Sequence, residues 1–183
     1  MAHSPSRPVL ASVAVLWSFL VVVPAGGSAR AQGVADLLRQ APATAGLLVH
    51  AGCGDGSELA SLRLGEATLV HGLERDPAKL AVARERLLAA GLNGPVSVDL
   101  WDGVNLPYAD NLVNRLILDD DTAVAQDEIL RVLAPGGMAW RRQDGAWQRQ
   151  DKPWPAAIDS WTHYFHGPEG NPVAADQVVG PPK

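Results

Sequence analysis

The sequence predicts an α/β fold: a Rossmann-like, doubly wound, mostly parallel sheet of about five parallel strands plus a C-terminal hairpin strand. Three observations predict it. Short apolar runs of strand length alternate with helical patterns between residues 46 and 143, as in parallel strands joined by crossovers. A glycine-rich turn, Gly52-Cys53-Gly54-Asp55-Gly56, follows the first of those runs and opens a helical stretch. Asp144-Gly145 then supplies a two-residue turn of hairpin type after the last run.

Taken in order, Val34 to Gln40 is a short helical pattern with apolar residues at 34, 37 and 38, closed by Pro42. Gly46 to His50 is a compact apolar run, the pattern of a strand buried on both faces. Ser57 to Leu64 reads as one short helix with Gly65 past its end. Ala67 to Leu73 is the second strand. Asp76-Pro77 starts a helix: Asp is the N-cap, and Pro takes the first helical position, where its missing N–H costs nothing. That helix runs to Ala90 with Leu80, Ala83, Leu87 and Ala90 on one face, and Gly91 ends it. Val96 to Leu100 is the third strand and Leu112 to Leu118 the fourth. The link between them is only about eleven residues, short for a helical crossover, so it is expected to be mostly loop. Asp121 or Thr122 caps a helix through Leu133, stopped by Pro135-Gly136-Gly137. Met138 to Gln143 is the fifth strand, and Ala146 to Gln150 folds back on it.

Residues 1–31 read as a signal peptide rather than as fold. Arg7 gives a positive start, Val9 to Val23 is apolar over signal-peptide length, and Ala29-Arg30-Ala31 offers small residues for cleavage. An uncleaved anchor is the alternative, and either reading places the remainder outside the cytoplasm; no later segment is apolar enough to span a membrane. Residues 32–150 form the α/β domain. Residues 151–183 hold six prolines and an aromatic cluster, and read as a linker or tail. Trp140, Trp147, Trp154 and Trp161 fall seven apart, but Gly145, Pro153 and Pro155 forbid one helix through them. The net charge is −5, and the first 31 residues carry Arg7 and Arg30 and no acid, so cleavage after Ala31 would leave −7. No basic run or face is present, which argues against a nucleic-acid partner. Cys53 is the lone cysteine, so an intramolecular disulfide and a thiolate metal cluster are both excluded.

The chemistry-bearing candidates sit at strand ends. Without side chains, the glycine turn lets a ligand lie against the backbone at the carboxyl end of the sheet. A dinucleotide fingerprint would place its third glycine at position 57, where Ser57 stands; the G-x-G-x-G spacing suits adenosine held without a pyrophosphate and disfavours a nicotinamide dehydrogenase. Glu74 ends the second strand about twenty residues on, where a carboxylate either accepts ribose hydroxyls or is a solvated loop acid. Asp76 is the helix cap. Asp102 ends the third strand, and either accepts from an adenine amine, with Trp101 or Leu73 covering the ring, or is a turn residue ahead of Gly103. Asp119, Asp120 and Asp121 follow the fourth strand, as a ligand site or as solvated caps. Asp159, His163 and His166 have helical spacing for a metal, against an aromatic knot with its His tips in water.

Four stretches, "LLVHAGCGDG" (47–56), "HGLERDP" (71–77), "DGVNLPYADNLVNRLI" (102–117) and "EILRVLAPGGMAW" (128–140), make the chain resemble class I S-adenosylmethionine-dependent methyltransferases in truncated form. The resemblance implies S-adenosylmethionine as cofactor and a small molecule as methyl acceptor. It implies that Gly52, Gly54 and Gly56 line the cofactor, with Glu74 on the ribose and Asp102 on the adenine amine. Their neighbours His50, Cys53, Asp55, Arg75, Trp101 and Gly103 complete the implied contact set. No general base stands out. The chain departs from the family at His50, where an acid usually orients the cofactor's amino group, and at Val113-Asn114 in place of Phe-Asp. "LPYADNLVN", "IDSWTHYFHGPEGN" and "VVGPP" further resemble exported bacterial proteins in which a methyltransferase-like domain precedes a quinoprotein-like β-propeller. The other reading is a non-catalytic α/β module that docks such a propeller.

Overall fold

The computed structural model describes residues 33–40, 45–119, 122–159, 164–170 and 173. The expected signal segment, Pro42, Asp120, Asp121, Trp161 and His163 lie outside them. The strands are β1 (Gly46–Ala51), β2 (Thr68–Glu74), β3 (Val96–Leu100), β4 (Val113–Leu118), β5 (Leu133–Gln143) and β6 (Ala146–Asp151). The helices are α1 (Val34–Gln40), α2 (Pro77–Ala89) and α3 (Gln126–Val132). They form one sheet in the order β3-β2-β1-β4-β5-β6. The first five strands are parallel, and β6 returns antiparallel on β5. The chain order reverses at β1, which lies between β2 and β4. That is the switch point beside which open α/β sheets form a crevice at their carboxyl edge.

Alternation along the strands sorts the core into two layers. Leu48, Val70, Val96, Val98 and Ile117 pack under Leu38, Leu59, Leu62, Leu80 and Leu87. On the opposite face Val49, Ala51, Leu73, Leu116 and Leu118 pack against Trp101, Leu106, Ile129 and Val132. Each fully buried leucine contributes about 1.5–3 kcal/mol relative to an exposed one, so both faces of β1 are held.

Four local expectations are corrected. The helix expected over Ser57–Leu64 is a single 3-10 turn, Leu59–Leu62. Only Leu59 and Leu62 need burial there, and a 3-10 turn sets residues three apart on one side. Helix α2 ends at Ala89, and Ala90 is exposed as its C-cap rather than part of the buried face. Helix α3 begins at Gln126, because the Thr122 hydroxyl donates back to Asp119 O at 2.9 Å instead of capping. Strand β5 begins at Leu133 and carries Pro135-Gly136-Gly137 inside it as an irregularity, where its register against β4 shifts. A Cβ on Gly137 would stand 2.7 Å from Ala134 O and 3.1 Å from Val113 O, so the bulge requires glycine there.

The Asp144-Gly145 hairpin forms as expected. Asp144 (φ 52) and Gly145 (φ 76) both take the left-handed conformation of a type I′ turn. Asp76 caps α2 by accepting from Ala78 N. The β3–β4 link contains no helix. It is pinned instead by Arg131, which forks onto Glu128 at 2.7 and 2.8 Å and reaches Leu106 O, Tyr108 O and Asp110. Asn114, at the family's usual Asp position, accepts Leu47 N at 2.9 Å and so ties β4 to β1. Lys152 closes β6 by donating to Asn111, Leu130 O and Leu133 O around the C-terminus of α3.

Candidate functional site

The glycine turn leaves β1 at Ala51 and is bent by three left-handed glycines: Gly52 (φ 81), Gly54 (φ 58) and Gly56 (φ 71). Its start is tied to β2, since Gly52 N and Cys53 N both donate to Leu73 O, at 2.8 and 3.2 Å. Its middle is tied to the end of β2, where Gly54 N donates to Glu74 Oε2 at 2.6 Å. Glu74 is only 5% exposed. Its charge is met by Gly54 N together with Arg75 N (2.8 Å) and Asp76 N (2.9 Å) on Oε1. A carboxylate has about four acceptor positions, so the open one is on Oε2, beside Gly54.

Each other residue of the turn has a distinct duty. A Cβ on Gly54 would meet nothing within 4 Å, which leaves that backbone open to a ligand. Gly56 backs onto α2, where a Cβ would stand 2.8 Å from that of Ala83. Asp55 accepts Ser57 N at 3.1 Å and Arg86 at 2.9 Å, and those bonds, Ser57 foremost, hold its carboxyl below the usual range. Cys53 tucks under the turn above Gly72, whose Cβ position lies 2.7 Å from Cys53 Sγ. Burial, then the nearby Glu74 charge, pushes the Cys53 thiol up to about 12.

At the end of β3 the residues serve the loop. Trp101 is buried in the second core layer and donates its indole N–H to Asn105 O at 2.5 Å. Asp102 accepts Val104 N (2.8 Å), Asn105 N (3.0 Å) and the Asn105 amide (3.2 Å), a local turn of the Asx type. These bonds, Val104 first, hold its carboxyl below the usual range. The Arg75 side chain lies over Gly103 (φ 88).

A cleft of about 360 Å³ opens at the carboxyl ends of β1 and β4. The turn residues Gly52, Cys53, Gly54, Ser57 and Glu58 form one wall, with Gly33 and Val34 beside them. His50 and Asp119 line it from the strand ends, and Arg142 and Trp147 from the hairpin. His50 is 3% exposed, and its Nε2 lies 3.3 Å from Asp119 Oδ2. Arg142 and Trp147 are cross-strand partners, with the guanidinium carbon 5.7 Å from the ring centroid.

Of the residues singled out in the sequence, His50, Gly52, Cys53, Gly54 and Asp119 line the cleft, and Glu74 joins it through Gly54. Asp55, Gly56, Arg75, Trp101, Asp102 and Gly103 lie outside that lining. Arg142 escaped notice in the sequence, and Trp147 was noted there only for its seven-residue spacing from Trp140 and Trp154. Their signal was their equal distance from the Asp144-Gly145 turn, which makes them face each other. In the tail, His166 Nε2 sits 2.5 Å from Asp159 Oδ2. Among the described residues no group of three His, Cys, Asp or Glu side chains is placed to hold a metal, and no helix is long and apolar enough to cross a membrane.

Residues 49–140, half of the chain, match the family of the methyltransferase domain. The chain belongs to that family. This methyltransferase-family chain is 36% identical over 96 residues to the methyltransferase GfsG of Streptomyces halstedii; the match covers 49% of the chain and 34% of the relative. The chain thus spans about a third of that relative's length. Among solved structures it resembles the [4+2]-cyclase SpnF, with a TM-score of 0.52 at 26% identity over 60% of the chain and 43% of the cyclase. It also resembles a geranyl diphosphate C-methyltransferase from Streptomyces coelicolor A3(2), with a TM-score of 0.52 at 21% identity over 58% and 43% of the two chains. A methyltransferase from Aquifex aeolicus gives a TM-score of 0.51 at 20% identity over 57% and 60%. At those last two identities the likeness is one of fold.

Proposed function

We propose that the chain binds S-adenosylmethionine across the carboxyl ends of β1, β2 and β4 and passes its methyl group to a small molecule. The observation that carries this reading is the Gly54–Glu74 bond at 2.6 Å, which holds a backbone turn open beside a buried carboxylate with an acceptor position left. In this reading Gly52 and Gly54 let the ligand approach the backbone, and Glu74 takes a ribose hydroxyl. The bound cofactor supplies a methyl group already activated by its sulfonium. The protein's share is to hold and align the reactants, which needs no general base. Membership of the methyltransferase-domain family supports the reading, as does the switch-point position of the cleft.

A second reading is a binding module that moves no methyl group. Three of the four acceptor positions of Glu74 are already filled, and Asp102 is committed to its own turn. A fold does not carry one activity with it. For export we propose the segment 1–31 as the signal, from its apolar run and its Ala29-Arg30-Ala31 site. A β-propeller partner belongs to that same proposal.

Thermal unfolding of the full chain tests cofactor binding. A ligand of the native state raises the midpoint with concentration by mass action. S-adenosylhomocysteine is expected to do so; a midpoint unmoved at a concentration far above micromolar would reject the cofactor reading.

A further inference from the structure

The hairpin side of the cleft differs from the rest in charge and in origin. Asp119 after β4 and Glu58 beside the glycine turn line it as acids, and Arg142 is, among the described residues, the one Lys or Arg in its lining. Arg142 and Trp147 come after residue 140, where the match to the methyltransferase-domain family ends. This chain's own hairpin places them. They pair across β5 and β6 next to the closing pair Gln143–Ala146, and the left-handed Asp144-Gly145 turn fixes that register. Trp147 is half-buried and packs on the first core layer, so its ring is held. The Arg142 guanidinium carbon lies 5.7 Å from the ring centroid. A guanidinium over a ring still presents a planar N–H edge, which matches the two oxygens of a carboxylate. The two walls also conflict when nothing lies between them. S-adenosylmethionine is a cation at its sulfonium, which the acids suit and Arg142 opposes. An anionic group seated on Arg142 removes that opposition. With one guanidinium and two acids in the lining, a monoanion suits the cleft better than a phosphate dianion.

We propose that Arg142 and Trp147 form the acceptor wall of the cleft and select a planar aromatic acceptor that carries a carboxylate. The carboxylate sits on the Arg142 guanidinium and the ring system lies against Trp147. The inference rests on the methyl-transfer reading above, because it names the class of acceptor that reading leaves open. The family segment supplies the sheet and the glycine turn, and the hairpin beyond it supplies the choice of acceptor.

The test is calorimetric titration of the full chain, first saturated with S-adenosylhomocysteine. The probes are 2-naphthoate and 2-naphthamide, which share a ring system and differ in charge. The carboxylate is expected to bind roughly tenfold more tightly than the amide, the scale of a charge-assisted pair. Arg142→Gln should remove that preference and Arg142→Lys should keep part of it, and both variants should bind S-adenosylhomocysteine as the parent does. Trp147→Leu should weaken both probes alike, through loss of the ring face. Equal affinity of the two probes for the parent would overturn the inference and leave the adenosine site standing. So would the failure of both probes to bind a chain that holds S-adenosylhomocysteine. A preference that survives Arg142→Gln would place the anion elsewhere and overturn it as well. An equal loss of naphthoate and S-adenosylhomocysteine affinity in Arg142→Gln would give Arg142 to the cofactor and overturn it too. Failure of S-adenosylhomocysteine itself to bind the folded parent would overturn the cofactor reading and this inference with it, which keeps the two failures apart.

Discussion

Gly54 N–H donates to the Glu74 carboxylate at 2.6 Å, joining the turn after β1 to the tip of β2. The bond makes one carboxylate responsible for two things: the shape of the glycine turn and any ribose contact. Glu74→Ala should therefore do more than remove a ligand contact. It leaves the N–H groups of Gly54, Arg75 and Asp76 without their acceptor, at a cost of about 1–3 kcal/mol for each group that water does not reach. We expect a lower urea midpoint together with a loss of S-adenosylhomocysteine affinity of roughly tenfold or more. Full affinity in a folded variant would remove Glu74 from the site.

Gly72→Ala should destabilise the domain from within. The added methyl would stand 2.7 Å from Cys53 Sγ, 2.9 Å from Leu59 Cδ1 and 3.2 Å from Val98 Cγ2. Overpacking of this kind costs about 1–3 kcal/mol. Chemical denaturation reads it directly, and a variant as stable as the parent would contradict the packing of Cys53 over β2.

Cys53 should be unreactive in the native chain. Its thiol is pushed up to about 12, so at about pH 8 the thiolate that alkylating reagents need is scarce, and burial blocks access as well. Iodoacetamide labelling followed by mass spectrometry should show slow modification of the folded chain and rapid modification in denaturant. Equal rates would show an accessible, ordinary thiol.

The Glu128–Arg131 fork predicts a pH dependence with a definite sign. The hydrogen bond from Arg131, aided by Leu106 N, holds the Glu128 carboxyl below its usual value, against a desolvation effect of opposite sign. A lowered carboxyl contributes stability that is complete above its unfolded value, roughly 4.3, and disappears as the pH falls through the lower folded value. The advantage of the parent over Glu128→Gln should thus be present at neutral pH and fade under acid. Thermal midpoints of the two proteins across that range decide it; a constant gap would contradict the fork. The same variant should make the 106–110 loop more open to proteolysis.

How much of this was legible in the sequence depended on how local the cause was. Asp76-Pro77 and Asp144-Gly145 carry their own backbone rules, and α2 and the hairpin formed where those residues placed them. The apolar runs gave the five parallel strands, and the shortness of the β3–β4 link showed that it is loop. Ser57–Leu64 was misread because its two leucines need only a 3-10 turn to be buried. Thr122 looked like a cap but its hydroxyl satisfied Asp119 O. Pro135-Gly136-Gly137 looked like a stop and is instead a bulge inside β5, shaped by carbonyls of β4 that no local reading shows. The candidate site divided in the same way. The glycines and Glu74 follow one strand-turn-helix-strand unit, so their nearness could be read from spacing. The His50–Asp119 contact spans 69 residues, and it depends on β1 pairing with β4. Arg142 and Trp147 reach the cleft only because the hairpin returns beside β5.

Calorimetric titration of the full chain with S-adenosylhomocysteine tests most directly whether the Gly54–Glu74 turn is a working adenosine site. We expect one site of roughly micromolar affinity, about −8 kcal/mol, that Glu74→Ala weakens. Absence of binding heat at several temperatures, with a cooperative unfolding transition proving the chain folded, would contradict it and leave the turn as architecture alone.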